Sequence, residues 1–260
     1  MWPAALLAAC AVDSAVHVGP VTAAAAVGQR QFSCSQAGVL ESTPAGLRLV
    51  ADPGWRAFAL AGREAQGGLP AVLLVGGGEP AKSGDVALLD VSGRVLARQH
   101  VADDLVYGLA LAPDAPVAAV ACADGRVLLL DLPSLALRRL RWQHAGPAVA
   151  VAFAPDGTLL ASAGHDGKIL LGGAGDDRAP QALLDHTAAV SCLAWSPDAL
   201  LASGARDGKV RLHDRSGRLL RTWQRLGGAV VAVAFRGRDI ACEVAQGPDA
   251  PGRAVVLALP

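Results

Sequence analysis

Val149-Ala-Val-Ala-Phe-Ala-Pro-Asp-Gly157, followed eight residues on by His165-Asp-Gly-Lys-Ile-Leu-Leu-Gly172, decides the fold. The same pattern returns as Val190-Ser-Cys-Leu-Ala-Trp-Ser-Pro-Asp198 with Arg206-Asp-Gly-Lys-Val-Arg-Leu-His-Asp214. It is also present earlier, as Leu105-Val-Tyr-Gly-Leu-Ala-Leu-Ala-Pro-Asp114 with Ala123-Asp-Gly-Arg-Val-Leu-Leu-Leu-Asp131. Leu111, Phe153 and Trp195 are spaced by 42 residues each, and Asp124, Asp166 and Asp207 by 42 and 41. A fixed period of this length marks a repeat architecture. Pro-Asp starts a turn because Pro fixes φ and Asp bonds its own backbone. Asp-Gly between apolar runs predicts a tight hairpin of type I′. The runs between these turns are short and rich in Val, Leu and Ala, so each unit reads as four strands. Repeated four-stranded units are the pattern of an all-β propeller.

Composition narrows the class further. The chain has 260 residues, with 23 Lys+Arg against 23 Asp+Glu, so its formal net charge is zero. A phosphate-driven nucleic-acid binder normally carries a basic surplus. Hydrophobic residues make up 52% and charged residues 18%, which excludes a disordered chain. Asn is absent, and Lys82, Lys168 and Lys209 are the only lysines. This skew reads as the coding bias of a GC-rich, bacterial genome. It removes any N-glycosylation sequon.

Cys10, Cys34, Cys122, Cys192 and Cys242 are odd in number and widely spaced, so neither a disulfide framework nor a zinc site is expected. No apolar run reaches the ~18–20 residues of a membrane span. Leu7-Ala8-Ala9-Cys10 has the form of a lipoprotein cleavage box, but no cation precedes it. A cytoplasmic protein is expected, with an exported lipoprotein anchored through Cys10 as the alternative.

The chain resembles the WD40-repeat family. The resemblance rests on the His before the first strand (His144, His186), the apolar-Ala-aromatic-x-Pro-Asp run, Leu-Ala-Ser at 160–162 and 201–203, the Asp-Gly turn, and a closing Asp131 or Asp214. The family's Trp before that Asp is missing: Leu130, Gly172 and His213 occupy its slot. The resemblance implies structural relays Asp166–His144–Ser162 and Asp207–His186–Ser203, each without the Trp end. Gly76-Gly-Gly-Glu79-Pro80 is similar to an insertion seen in WD40 segments fused to c-type cytochromes. No C-x-x-C-H motif is present, so no haem or other cofactor is expected.

One propeller domain over 1–260 is expected, with six units at about 17–55, 56–99, 100–143, 144–185, 186–226 and 227–260. A seven-bladed ancestor that lost one blade is the alternative. The last unit runs out after three strands, Ala229–Phe235, Asp239–Val244 and Arg253–Leu259. By family habit Ala4–Val12 then supplies the fourth strand and closes the ring.

No G-x-S-x-G, H-E-x-x-H or P-loop spacing occurs. Gly76–Gly78 reads as a loop insertion. Asp176-Asp177 and Asp103-Asp104 lack the ladder of a calcium loop and read as solvated charges. His17, His100, His144 and His186 fall at or near one blade position and read as relay groups; His165 and His213 have no mapped partner. Arg138-Arg-Leu-Arg-Trp142 falls on an outer strand, where its stems cover a blade flank; as a docking patch it would suit an acidic partner.

The expected function is a non-catalytic, monomeric scaffold that binds a protein or peptide. By resemblance, the face carrying the Asp-Gly turns binds the partner, which singles out His165, Arg206, Asp103, Asp104, Gln143 and Arg225. The alternatives are a propeller hydrolase or lactonase with a central metal, and a truncated fragment of a multidomain WD40 protein.

Overall fold

The computed structural model describes residues 23–35, 38–245 and 252–259. Among them the chain forms strands and no helix. The fold is an all-β, WD40-like propeller with six blades. Blade 1 is β1 (Ala23–Val27), β2 (Arg30–Ser35), β3 (Gly38–Thr43) and β4 (Gly46–Ala51). Blade 2 is β5 (Arg56–Arg63), β6 (Val72–Glu79), β7 (Ser83–Asp90) and β8 (Val95–Ala102). Blade 3 is β9 (Val106–Leu111), β10 (Val117–Cys122), β11 (Arg126–Asp131) and β12 (Ala136–Gln143). Blade 4 is β13 (Ala148–Phe153), β14 (Leu159–Gly164), β15 (Ile169–Gly173) and β16 (Gln181–Leu183). Blade 5 is β17 (Val190–Trp195), β18 (Leu201–Ala205), β19 (Val210–His213) and β20 (Leu219–Trp223). Blade 6 is β21 (Ala229–Arg236), β22 (Asp239–Ala245) and β23 (Arg253–Leu257). Every sheet is an up-and-down meander. The closing strand expected at Ala4–Val12 lies outside the described residues, as do His17 and Cys10.

Two compact units divide between Arg141 and Trp142. Blades 1 to 3 make the N-terminal unit and blades 4 to 6 the C-terminal unit. Within each, the core lies between neighbouring blades. Leu73 and Val75 of β6 pack with Phe32, Cys34 and Val39 of blade 1. The alternate residues Val72 and Leu74 pack with Val106, Val120 and Leu128 of blade 3. The two middle strands are therefore buried on both faces, which is why they read as unbroken apolar runs. In the C-terminal unit Ile169 and Leu171 face Val190 and Leu201, while Val210 and Leu212 face Val230, Ile240 and Cys242. Each such Leu or Ile side chain contributes about 1.5–3 kcal/mol by leaving water.

The structure corrects two local expectations. Gly76–Gly78 is not a loop: it continues β6, paired with both β5 and β7. A Cβ on Gly77 would lie 1.9 Å from the Arg56 carbonyl oxygen, and one on Gly76 would lie 2.7 Å from Val106 Cγ1. The glycines let β5, which bulges between Ala57 and Ala59, and the next blade approach the strand closely. The Asp-Gly turns are also not type I′. Only the glycine takes a positive φ, 87°, 75° and 72° at Gly125, Gly167 and Gly208. The Asp instead accepts the amide two residues on, from Arg126 at 3.0 Å, Lys168 at 3.1 Å and Lys209 at 3.1 Å. That bond gives Asp a reason to stay out of the left-handed region, where it would be strained.

Candidate functional site

In an antiparallel meander the turn between the second and third strands shares a sheet end with the connection to the next blade. In the C-terminal unit that end carries turns 165–168 and 206–209 and loops 143–147, 184–189 and 224–228. Two buried polar sets lie beneath it. In blade 4, His144 Nδ1 is 3.1 Å from Asp166 Oδ1, and its Nε2 is 2.9 Å from Ser162 Oγ. The Ala145 amide also donates to Asp166. In blade 5, His186 Nδ1 is 3.1 Å from Asp207 Oδ2, and its Nε2 is 2.8 Å from Ser203 Oγ. The structure thus brings His144, Ser162 and Asp166 together, and separately His186, Ser203 and Asp207. Ser162 and Ser203 are fully buried. A buried hydroxyl or imidazole without partners would be costly, so each set holds its loop against its turn.

The two sets differ in a way the repeat pattern hides. Arg211 of β19 is buried and places Nη1 on His186 Nδ1 and 2.9 Å from Asp207 Oδ2. A guanidinium has no acceptor. His186 Nδ1 therefore accepts, the ring proton sits on Nε2, and it donates to Ser203 Oγ. Blade 4 has Leu170 at the corresponding place, opposite Ser162 as Arg211 is opposite Ser203. There Nδ1–H donates to the Asp166 carboxylate and Nε2 accepts from the Ser162 hydroxyl. The two histidines are therefore expected to be opposite tautomers.

Burial, followed by the Arg211 charge, pushes the His186 pKa down to about 4. Burial alone would raise the carboxyls. For Asp166, the bonds from His144 and from the Lys168 and Ala145 amides together outweigh it and hold the group below the usual carboxylate range. For Asp207, the Arg211 bond and the Thr187 amide do the same. His213, in the slot of the absent Trp, is fully buried and donates from Nε2 to Asp185 Oδ2 at 2.9 Å. Burial lowers its pKa as well. Sequence reasoning left His213 unassigned and missed Arg211. The available signal was a charged residue between Val210 and Leu212, inside a run that is apolar in the other copies.

His165 and Arg206 are exposed, each leading an Asp-Gly turn, and their amides donate to Pro147 and Ala189 carbonyls at 2.9 Å. Gln143 and Arg225 are exposed in the flanking loops. Asp103 and Asp104 lie in the N-terminal unit, between β8 and β9. Asp103 is exposed, 3.6 Å from His100 Nε2. Asp104 accepts the Ala81 amide at 3.0 Å and the Leu105 amide at 2.8 Å, so it pins the β6–β7 hairpin. His100 does not reach an Asp-Gly turn: it faces Asp85 at 3.2 Å across β7 and β8. An open groove on this unit is lined by Asp52, Trp55, Arg56, Glu79 and Lys82. Arg138–Trp142 lies on outer strand β12, with Arg138 paired to Asp131 at 3.3 Å and Trp142 buried. Among the described residues no three His, Cys, Asp or Glu side chains converge as a metal site. No described helix is long and apolar enough to cross a membrane.

Residues 137–171 and 179–214 match the family model described as WD domain, G-beta repeat. Those two stretches are WD40-like repeats, and they contain both buried relays. Among solved structures, the crystal structure of a mitotic checkpoint complex contains a similar chain. The TM-score is 0.72 at 19% identity, over 86% of this chain and 72% of that one. The computationally designed Ika8 protein is similar with a TM-score of 0.71 at 20% identity, over 94% of this chain and 72% of that one. These likenesses concern the fold. No curated protein matches the chain in sequence.

Proposed function

We propose that this chain is a non-catalytic, WD40-type scaffold that docks a protein or peptide on the turn-bearing edge of its C-terminal blades. The observation that supports this is the pairing of locked turns with exposed side chains. His144 and Arg211 hold Asp166 and Asp207 from inside, so His165 and Arg206, one residue before each Asp, project from pre-set backbone. A rigid surface loses little conformational entropy on binding. Among the described residues the thiols Cys122, Cys192 and Cys242 are free, in keeping with a reducing cytoplasm.

The test is site-specific photo-crosslinking in cells. Benzoylphenylalanine replaces His165 in the full chain, or replaces Arg238 in the β21–β22 turn at the other end of its sheet. A discrete protein adduct from position 165 that is absent from position 238 is expected. Matching adduct patterns, or none at either site, would overturn the reading.

A further inference from the structure

The turns that follow the Asp-Gly pattern place a cation two residues after the aspartate, close enough to pair with it. Blade 3 shows the pairing: Arg126 Nε lies 2.6 Å from Asp124 Oδ2. In blade 2 Lys82 pairs with Glu79 at 2.9 Å. Blades 4 and 5 differ because their turn carboxylates are engaged from below. Asp166 is bound by His144, and Asp207 by Arg211 beside His186. Forty-two residues before His144 stands Ala102, and in that blade Asp124 pairs with Arg126.

The consequence is electrostatic. Lys168 and Lys209 form no ion pair with any described carboxylate, and neither do the exposed Arg206 and Arg225. The third acid of this edge, Asp185, is bound by His213. The edge is also continuous. A Cβ added to Gly167 would lie 3.4 Å from the Ala188 carbonyl oxygen, and one added to Gly208 would lie 3.1 Å from that of Gly228. Turns 165–168 and 206–209 therefore abut loops 184–189 and 224–228. The relays keep the Asp166 and Asp207 carboxylates buried, and among the described residues four cations outnumber three acids along this edge.

We infer that this edge binds an acidic, Asp/Glu-rich segment of a partner protein, an inference that rests on the docking function proposed above. Four cations in a chain of zero net charge suit a short acidic segment better than a nucleic acid, whose binders carry a basic surplus. Exposed charges act through water, so the attraction weakens as salt screens it.

The test uses the full chain and three fluorescein-labelled probes: a 14-residue peptide with eight Asp and Glu, its Asn/Gln counterpart, and a 14-nucleotide single-stranded DNA. Anisotropy at about 50 mM salt is expected to show the acidic peptide binding at least tenfold more tightly than the neutral one, with the difference shrinking at about 300 mM. The double variant Arg206→Glu/Arg225→Glu is expected to abolish that preference, and Arg238→Glu to keep it, all with unchanged melting temperatures. Equal binding of the two peptides, tighter binding of the DNA, or equal loss in Arg238→Glu would overturn the inference. The crosslinking from position 165 separates the two claims. An adduct whose attachment segment is not acidic leaves docking standing and removes the acidic specificity.

Discussion

At the scale of single residues, Arg211 has the largest consequence. It turns a repeat of blade 4 into a set that carries a charge and the opposite imidazole tautomer. Nitrogen-15 NMR at pH 7 is expected to show protonated Nε2 for His186 and protonated Nδ1 for His144; the same tautomer in both would refute the assignment. The pH dependence follows from the same geometry. The folded His186 pKa, about 4, lies below the ordinary 6.5. Between those values the unfolded chain takes up a proton that the folded chain does not. The stability contributed by a neutral His186 is therefore complete above about 6.5 and falls away towards 4. Arg211→Leu removes the charge that disfavours imidazolium, so His186 is expected to titrate higher and the loss between pH 6.5 and 4 to shrink. Melting temperatures of both proteins across that range measure it. A second buried charge, Glu41, accepts from Arg30 Nε at 2.5 Å and Arg48 Nη2 at 2.6 Å, and those bonds lower its pKa to about 2. Both arginines are partly exposed, so Glu41→Gln is expected to cost about 1–2 kcal/mol in urea unfolding at pH 7.

At the scale of elements, the turns and the middle strands carried most of the readable signal. Pro155-Asp156 and Pro197-Asp198 start turns as expected, with Gly157 and Ala199 amides closing them onto Ala154 and Ser196 carbonyls. The 42-residue spacing was legible because the residues that make turns are chemically distinctive and the apolar runs between them are buried on both faces. Blade 2 was harder to read. Its strand β6 contains three consecutive glycines, and composition alone makes such a run a loop. Only the packing shows that they serve close approach. Gly77→Ala is expected to destabilise the protein by about 2 kcal/mol or more, since the added methyl meets backbone at 1.9 Å. Gly175→Ala, with nothing within 4 Å, is expected to leave the melting temperature within about 1 °C. Equal effects would show that the glycine run is not there for packing. The candidate edge was legible in its exposed members, His165 and Arg206, because they sit beside recognisable turns. The charge of Arg211 stood out in an apolar run, but its partners and that of His213 come from a distant turn and loop that no local pattern names.

At the scale of the whole molecule, the four described thiols report on the core. Cys34 and Cys122 are fully buried in the N-terminal unit and Cys242 in the C-terminal unit, while Cys192 is half-buried beside the Gly204 carbonyl. Burial pushes the Cys122 and Cys192 pKa values up to about 12. The attacking species is the thiolate, so burial slows modification both by blocking access and by keeping the proton on sulfur. Cys122 ends β10, Cys192 lies in β17, Cys34 in β2 and Cys242 in β22, each a first or second strand of its blade and none on an outer strand. A neutral thiol reagent at pH 8 is accordingly expected to leave all four unmodified in the native chain over hours and to modify them within minutes in about 6 M guanidinium. Peptide mass spectrometry resolves each site. Rapid native labelling of Cys122 or Cys242 would mean that the blade faces on either side of it are not packed as the structure has them.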